Sequence, residues 1–316
     1  MRFKIVVLDG IYANPGDLIW DGLKPHGDFT IYERTAPEQV MDRALEADIL
    51  IVNKVELRKA LLYKLPKLKM IVISATGMNN VDLEAAKEHG VLVKNVVGYG
   101  APSVAQHTFA LILELTNRVS VHHHSVQNGE WNSGKGFSYT VSPVTGLSGK
   151  TLGIYGFGSI GREVASIGRA FGMNILVVSR HALPADYPDY EFVSLPELFE
   201  RSDIISLHAP LRDDNERVVN RALLSKMKPD ARLINTARGP LIHEEDLKNW
   251  LMAHPMAGAA LDVLEMEPPG AQHRLFGLTN CIITPHMAWT AKSARKKLID
   301  EVVLHVTKFV SQQNSL

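Results

Sequence analysis

The sequence predicts an α/β protein made of two doubly wound parallel-sheet units. Three observations carry that prediction. Short β-branched runs alternate with segments of helical spacing. The alternation halts at a long helical segment near residue 103 and restarts near residue 150. The chain has 316 residues, more than one hydrophobic core usually organises.

In the first hundred residues "FKIVVLDG", "DFTIYE", "DILIVN", "KMIVISA" and "VLVKNV" read as strands. Between them "GDLIWDGLKPHG", "PEQVMDRALEA", "LRKALLYKLPKL" and "VDLEAAKEHG" carry apolar residues at helical spacing. Strict alternation of the two kinds calls for a parallel sheet covered by helices on both faces. A long helix is predicted from about Ser103 to Gln127, followed by a Gly/Ser-rich surface loop, "NGEWNSGKGFSYTVSPVTGLSGK". From Lys150 the alternation continues to about His286, and "AKSARKKLIDEVVLHVTKFVSQQ" is an amphipathic helix.

Lys+Arg and Asp+Glu both number 34, so no global charge draws the chain to nucleic acid or an anionic membrane. No apolar run approaches the roughly 20 residues that span a bilayer. The N-terminal apolar run is too short for a signal peptide. The one cysteine, Cys281, excludes an internal disulfide framework. A cytoplasmic location is the expectation. The run His122 to His124 invites a metal reading, but consecutive helical residues point to different sides, so no metal site is expected.

"GIYGFGSIGREVASIGRAFGMNILVVSR" holds Gly156-x-Gly158-x-x-Gly161 between a strand-like run and a helix-like run, with a second strand after it. That is the whole βαβ unit of a dinucleotide-binding motif. Gly156 permits the tight turn, Gly158 lets the backbone approach a pyrophosphate, and Gly161 lets helix and strand pack closely. The amides of Ser159 and Ile160 then face the phosphates. Such motifs usually place an acid about 20 residues on, for the ribose hydroxyls. Here Ser179 stands eighteen residues past Gly161, followed by Arg180. An arginine beside that place can clamp a 2′-phosphate. NADP(H) is therefore the preferred cofactor, with NAD(H) also admitted.

Later strand-like runs end in polar residues: His208-Ala209-Pro210, Thr236-Ala237-Arg238, Asp262 with Glu267, and Pro285-His286. In open parallel sheets ligands bind at the carboxyl ends of the strands, so these residues should gather at the edge that holds the cofactor. Arg238, Glu267 and His286 form a complete set for reducing a 2-keto acid. Arg238 can hold the carboxylate and polarise the keto oxygen. His286 can deliver a proton to that oxygen, and Glu267 can orient the imidazole and favour its protonated form.

The segments "GIYGFGSIGREVA", "DIISLHAPL", "INTARGPLI", "GAALDVLEMEPP", "ITPHMAWT" and "SATGMNNVDLEAAKEHGVLVKNVVGYGAPSVAQHT" together resemble the D-isomer-specific 2-hydroxyacid dehydrogenase family over nearly the whole chain. The resemblance implies a Rossmann cofactor domain, residues 103–287, inserted into a flavodoxin-like substrate domain, residues 1–102 and 288–316. It implies Arg238, Glu267 and His286 as catalytic residues. It also implies Ala75, Thr76 and Gly77 as a carboxylate-binding loop, Asp262 as a carboxamide contact and Val104 as a cofactor contact. Ser179 departs from the family acid, which bears on cofactor choice and not on reaction class.

"VNKVEL", "GYGAPSVAQHTFAL" and Trp289 are similar to the glycerate dehydrogenase branch, also called hydroxypyruvate/glyoxylate reductases, and Trp289 could wall a small pocket. The implied activity is reversible reduction of a small 2-keto acid to its D-2-hydroxy acid by a homodimer. The alternatives are a D-3-phosphoglycerate dehydrogenase-like enzyme or a dinucleotide-sensing regulatory protein of the same fold.

Overall fold

A computed structural model describes residues 2–182 and 184–314. The chain divides into two compact units, Met1–Gly100 with Thr290–Leu316, and Ala101–Trp289.

The first unit holds β1 (Phe3–Val7), β2 (Gly27–Ile31), β3 (Ile49–Val52), β4 (Met70–Ile73) and β5 (Leu92–Asn95), in the order β2-β1-β3-β4-β5. Every pairing is parallel. The central strands β3 and β4 are buried at every residue, as expected of runs covered on both faces. The helices are shorter than their apolar spacing predicts. The segment from Asp21 to His26 is a 3-10 helix with Pro25 inside it, and proline removes the N–H that would continue an α-helix. The helix Lys59–Leu62 stops four residues before Pro66, which disfavours helical backbone ahead of it.

The helix Lys292–Asn314 completes this unit. It buries Leu298, Ile299, Val302, Val306, Phe309 and Val310, one stripe at i, i+4 and i+7 spacing. At its start Arg295, 7% exposed, bonds both oxygens of Asp17 at 2.7 and 2.8 Å.

The second unit holds β6 (Thr151–Tyr155), β7 (Asn174–Val178), β8 (Glu191–Phe192), β9 (Ile204–Leu207), β10 (Arg232–Asn235), β11 (Gly258–Leu261) and β12 (Cys281–Ile283). Their order is β12-β11-β10-β9-β6-β7-β8, again parallel throughout. One face packs Leu198, Phe199, Leu207, Leu233 and Leu247; the other packs Phe109, Ile112, Leu152, Ile154 and Val164. The chain leaves β6 toward β7 on one side and later returns to β9 on the other. That reversal opens a crevice at the carboxyl ends, where ligands of such sheets bind.

The single long helix expected from Ser103 to Gln127 is two helices, Ala101–Asn117 and Val119–Gln127. Arg118 between them has φ +48, a left-handed residue that ends a helix although no glycine marks the place. The segment after Asn132 runs without regular structure to β6 and leaves Phe137 almost wholly exposed. Among the described residues no helix is long and apolar enough to cross a membrane.

Candidate active site

The glycine loop follows β6 at the point where the strand order reverses. Gly156 has φ +99, and a Cβ there would lie 2.4 Å from the Ala209 amide nitrogen. Only glycine lets the loops after β6 and β9 approach this closely. A Cβ on Gly161 would lie 2.1 Å from the Gly156 carbonyl oxygen, so helix and loop meet backbone to backbone. At Gly158 a Cβ would meet nothing within 4 Å. No side chain caps the helix Ser159–Ala170, whose first internal bond runs from Arg162 N–H to Gly158 O. The amides of Ser159, Ile160 and Gly161 precede that bond at an open helix N-terminus, a cradle that fits a dinucleotide pyrophosphate.

The neighbouring candidates lie on both sides of this loop. Ser179 Oγ accepts from the amides of His181 and Ala182 at 3.3 and 3.1 Å and so holds the turn after β7. Arg180 Nη1 donates to Asp214 Oδ2 at 2.5 Å. An acid therefore does stand beside this place, contrary to the reading from Ser179 alone. It arrives from the loop after β9, and no local spacing announces it.

His208, at the end of β9, shares a 2.8 Å bond with Ser206 Oγ through Nε2, while its buried Nδ1 has no partner among the described residues. Burial pushes its pKa down to about 3, so the imidazole is neutral at physiological pH. Ala209 is buried beside it, and Pro210 O accepts from Asn215 Nδ2 at 2.9 Å. Thr236 is buried with its hydroxyl 3.0 Å from Thr108 Oγ1, and Val104 is buried one turn earlier on the same helix. Ala237 is half-buried.

Arg238, Glu267 and His286 all belong to this unit. Asn235 holds the strand end that carries Arg238, accepting from Ala237 N at 3.0 Å and donating to Arg238 O at 2.9 Å. Arg238 Nη1 donates to Ala237 O at 2.7 Å. Gly239 packs against the next strand's loop so tightly that a Cβ would lie 1.9 Å from Leu264 O. In that loop Glu267 Oε1 accepts from Leu264 N at 2.9 Å, and Glu267 Oε2 lies 2.6 Å from His286 Nδ1. The carboxylate thus bridges loop and imidazole. Nδ1 is committed to Glu267, which leaves Nε2 as the ring atom able to exchange a proton.

His286 itself sits at φ +53, and its amide donates to Asp262 O at 2.8 Å. Asp262 is 1% exposed, and its carboxylate accepts from Thr284 Oγ1, Met287 N and Ala288 N at 2.6, 2.9 and 2.8 Å. Burial alone would raise the Asp262 pKa, but these bonds and the nearby His107 hold it below the ordinary range. In this structure Asp262 builds the turn that presents His286, a task that its expected carboxamide contact did not suggest. Trp289 is half-buried just beyond that turn.

In the first unit, Ala75, Thr76 and Gly77 follow β4. The Ala75 carbonyl accepts from Val96 N at 3.1 Å, the Thr76 carbonyl from Asn95 Nδ2 at 2.7 Å, and Thr76 Oγ1 donates to Val96 O at 3.0 Å. The loop is pinned through its carbonyls. Among the described residues no group of three or more His, Cys, Asp or Glu could hold a metal.

Residues 109–288 match the family model described as the NAD binding domain of D-isomer specific 2-hydroxyacid dehydrogenases. The chain belongs to that family. It is an oxidoreductase, and the matched residues carry the glycine loop and all three of Arg238, Glu267 and His286.

A hydroxypyruvate reductase of Blautia hydrogenotrophica is 40% identical over 97% of this chain and 97% of its own length. Among solved structures, an acyclic imino acid reductase in complex with NADPH and D-Arg superposes with a TM-score of 0.85. It is 30% identical and covers 98% of this chain and 97% of its own. A D-lactate dehydrogenase of Aquifex aeolicus complexed with NAD and lactic acid also reaches a TM-score of 0.85, at 28% identity, covering 99% of this chain and 96% of its own. This fold therefore accommodates either dinucleotide in its relatives.

Proposed function

We propose that this family member reduces a small 2-keto acid of the glyoxylate or hydroxypyruvate type to the D-2-hydroxy acid, reversibly, with His286 as general acid and base. The observation that carries the reading is the 2.6 Å contact of His286 Nδ1 with Glu267, which fixes the ring and assigns proton exchange to Nε2. When bound, a reduced nicotinamide supplies the hydride to the keto carbon. Glu267 orients the ring and compensates its charge when it is an imidazolium. Arg238 anchors the substrate carboxylate and polarises the keto oxygen. Ala75, Thr76 and Gly77 bind the carboxylate through backbone amides, and Trp289 limits substrate size.

Dinucleotide binding falls to the Ala101–Trp289 unit. Gly156, Gly158, Ser159, Ile160 and Gly161 take the pyrophosphate. Arg180, with Ser179 beside it, favours NADP(H), and NAD(H) is also used. The neutral His208, whose buried Nδ1 has no partner among the described residues, supports a hydrogen-bonding role of the His208–Pro210 segment toward the cofactor. Val104, Thr236, Ala237 and Asp262 complete this set.

The chain acts as a homodimer. The observation behind that is a cluster of exposed apolar side chains in one stretch of the second unit: Val119, Val126, Trp131, Phe137 and Val144. Light scattering on the purified protein tests it, and a monomer would remove this part of the reading.

Steady-state kinetics with NADPH and NADH across glyoxylate, hydroxypyruvate, pyruvate and 3-phosphohydroxypyruvate tests cofactor and substrate together. Highest kcat/KM with glyoxylate or hydroxypyruvate is expected. Preference for 3-phosphohydroxypyruvate would favour the phosphoglycerate dehydrogenase alternative, and no turnover with any 2-keto acid would overturn the enzymatic assignment.

A further inference from the structure

The ion pair between Arg180 and Asp214 has a position that the Arg180 reading alone does not explain. Arg180 lies just past β7 and Asp214 in the loop after β9, and these two strands flank β6 in the sheet. Adjacent strands lie about 4.8 Å apart, so the pair reaches across about 10 Å of sheet, over the crevice that the glycine loop enters. Both ends are held in place. Ser179 Oγ fixes the turn carrying Arg180 by accepting two amides. Asn215, 5% exposed, fixes the other loop, accepting from Arg212 N at 2.7 Å and donating to Pro210 O at 2.9 Å. The two charged side chains are half or more exposed, 50% and 60%, so the pair is weak enough for a ligand to displace.

We propose that Asp214 sets the cofactor preference by competing with the 2′-phosphate of NADP(H) for Arg180. This rests on the reading of Arg180 as the 2′-phosphate clamp and adds the residue that opposes it. Without a 2′-phosphate, Asp214 neutralises Arg180 and its second oxygen can accept a ribose hydroxyl, which suits NAD(H). A 2′-phosphate, with a charge near −2 and three acceptor oxygens, takes over the guanidinium as the stronger partner, but must first separate Arg180 from Asp214 and then lie close to the released carboxylate. The consequence is use of both cofactors, with a ceiling on the preference for NADP(H).

The test is calorimetric titration of the whole protein with 2′,5′-ADP and 5′-AMP, which differ only in the 2′-phosphate and require no turnover. Asp214→Asn should raise the 2′,5′-ADP to 5′-AMP affinity ratio by about fivefold, the equivalent of removing one exposed ion pair. Arg180→Ala should lower that ratio, and Asp214→Asn in the Arg180→Ala background should no longer raise it. If Asp214→Asn leaves the ratio unchanged while Arg180→Ala lowers it, the competition is overturned and Arg180 remains the clamp. If Arg180→Ala leaves it unchanged as well, the clamp reading fails and the competition fails with it.

Discussion

At the scale of single residues, the proposed chemistry turns on three side chains held by backbone rather than by one another alone. Glu267 is fixed by the Leu264 amide before it reaches His286, so the imidazole inherits a defined orientation. His286→Ala should lower kcat by about 10²- to 10⁴-fold with little change in KM, the usual range for a lost general acid. Retention of full kcat would remove His286 from that role. Arg238→Ala should raise KM and lower kcat together, because in the proposed role one guanidinium serves ground and transition states. Arg238→Lys should recover only part of the loss, since an ammonium cannot reproduce the planar fork. Gly239 has no chemistry of its own, yet a methyl there would collide with the Leu264 carbonyl at 1.9 Å. Gly239→Ala should destabilise the protein by about 1–3 kcal/mol, the typical cost of overpacking, and lower kcat by parting the Arg238 loop from the Glu267 loop. A melting temperature and kcat both unchanged would show that the two loops are not coupled through this contact.

At the scale of elements, the turn from Thr284 to Ala288 is built around Asp262. Its carboxylate accepts three bonds from that turn, and its carbonyl a fourth, from His286 N. These bonds hold the Asp262 pKa below its ordinary value. A depressed folded-state pKa stabilises the fold above the unfolded value of about 3.9 and loses that contribution as pH falls through the folded value. Asp262→Asn should therefore cost about 1–3 kcal/mol near neutral pH, the range for buried donors left without their acceptor. The gap in melting temperature between wild type and variant should narrow on going from pH 7 to pH 3. A gap that stays constant with pH would mean that the charge of Asp262 is irrelevant. The glycine loop shows the other way an element is made: Gly156 and Gly161 act by what is absent, each allowing an approach that any Cβ would block. That signal is readable from spacing, because the constraint is local to one βαβ unit.

At the scale of the whole molecule, the C-terminal helix is continuous with the first unit although nearly two hundred residues separate it from β5. It buries six large apolar side chains, worth roughly 9–18 kcal/mol at about 1.5–3 kcal/mol each, comparable to the entire stability of a domain. Removing residues 291–316 should leave the first unit unable to fold, seen as insoluble protein or loss of its cooperative melting transition. A soluble truncation with unchanged melting would show that the five-stranded sheet sustains itself.

Alternation of β and α segments, the Gly156–Gly161 fingerprint and the strand-end positions of Arg238, Glu267 and His286 were all legible in the sequence. Each follows from periodicity or spacing within a few tens of residues. The break at Arg118 was not legible, since a left-handed residue without glycine leaves no compositional trace. The role of Asp262 in the His286 turn was hidden because it depends on two loops that meet at neighbouring strand ends. Asp214 was hidden for the same reason. It stands 34 residues from Arg180, and only the order β9-β6-β7 carries it across the crevice to that guanidinium. The sequence by itself determined the class of fold and the kind of chemistry, because hydrophobic period and motif spacing are local properties of the chain. The tertiary structure decided which charges meet, because strand order, which no local window records, sets what faces what.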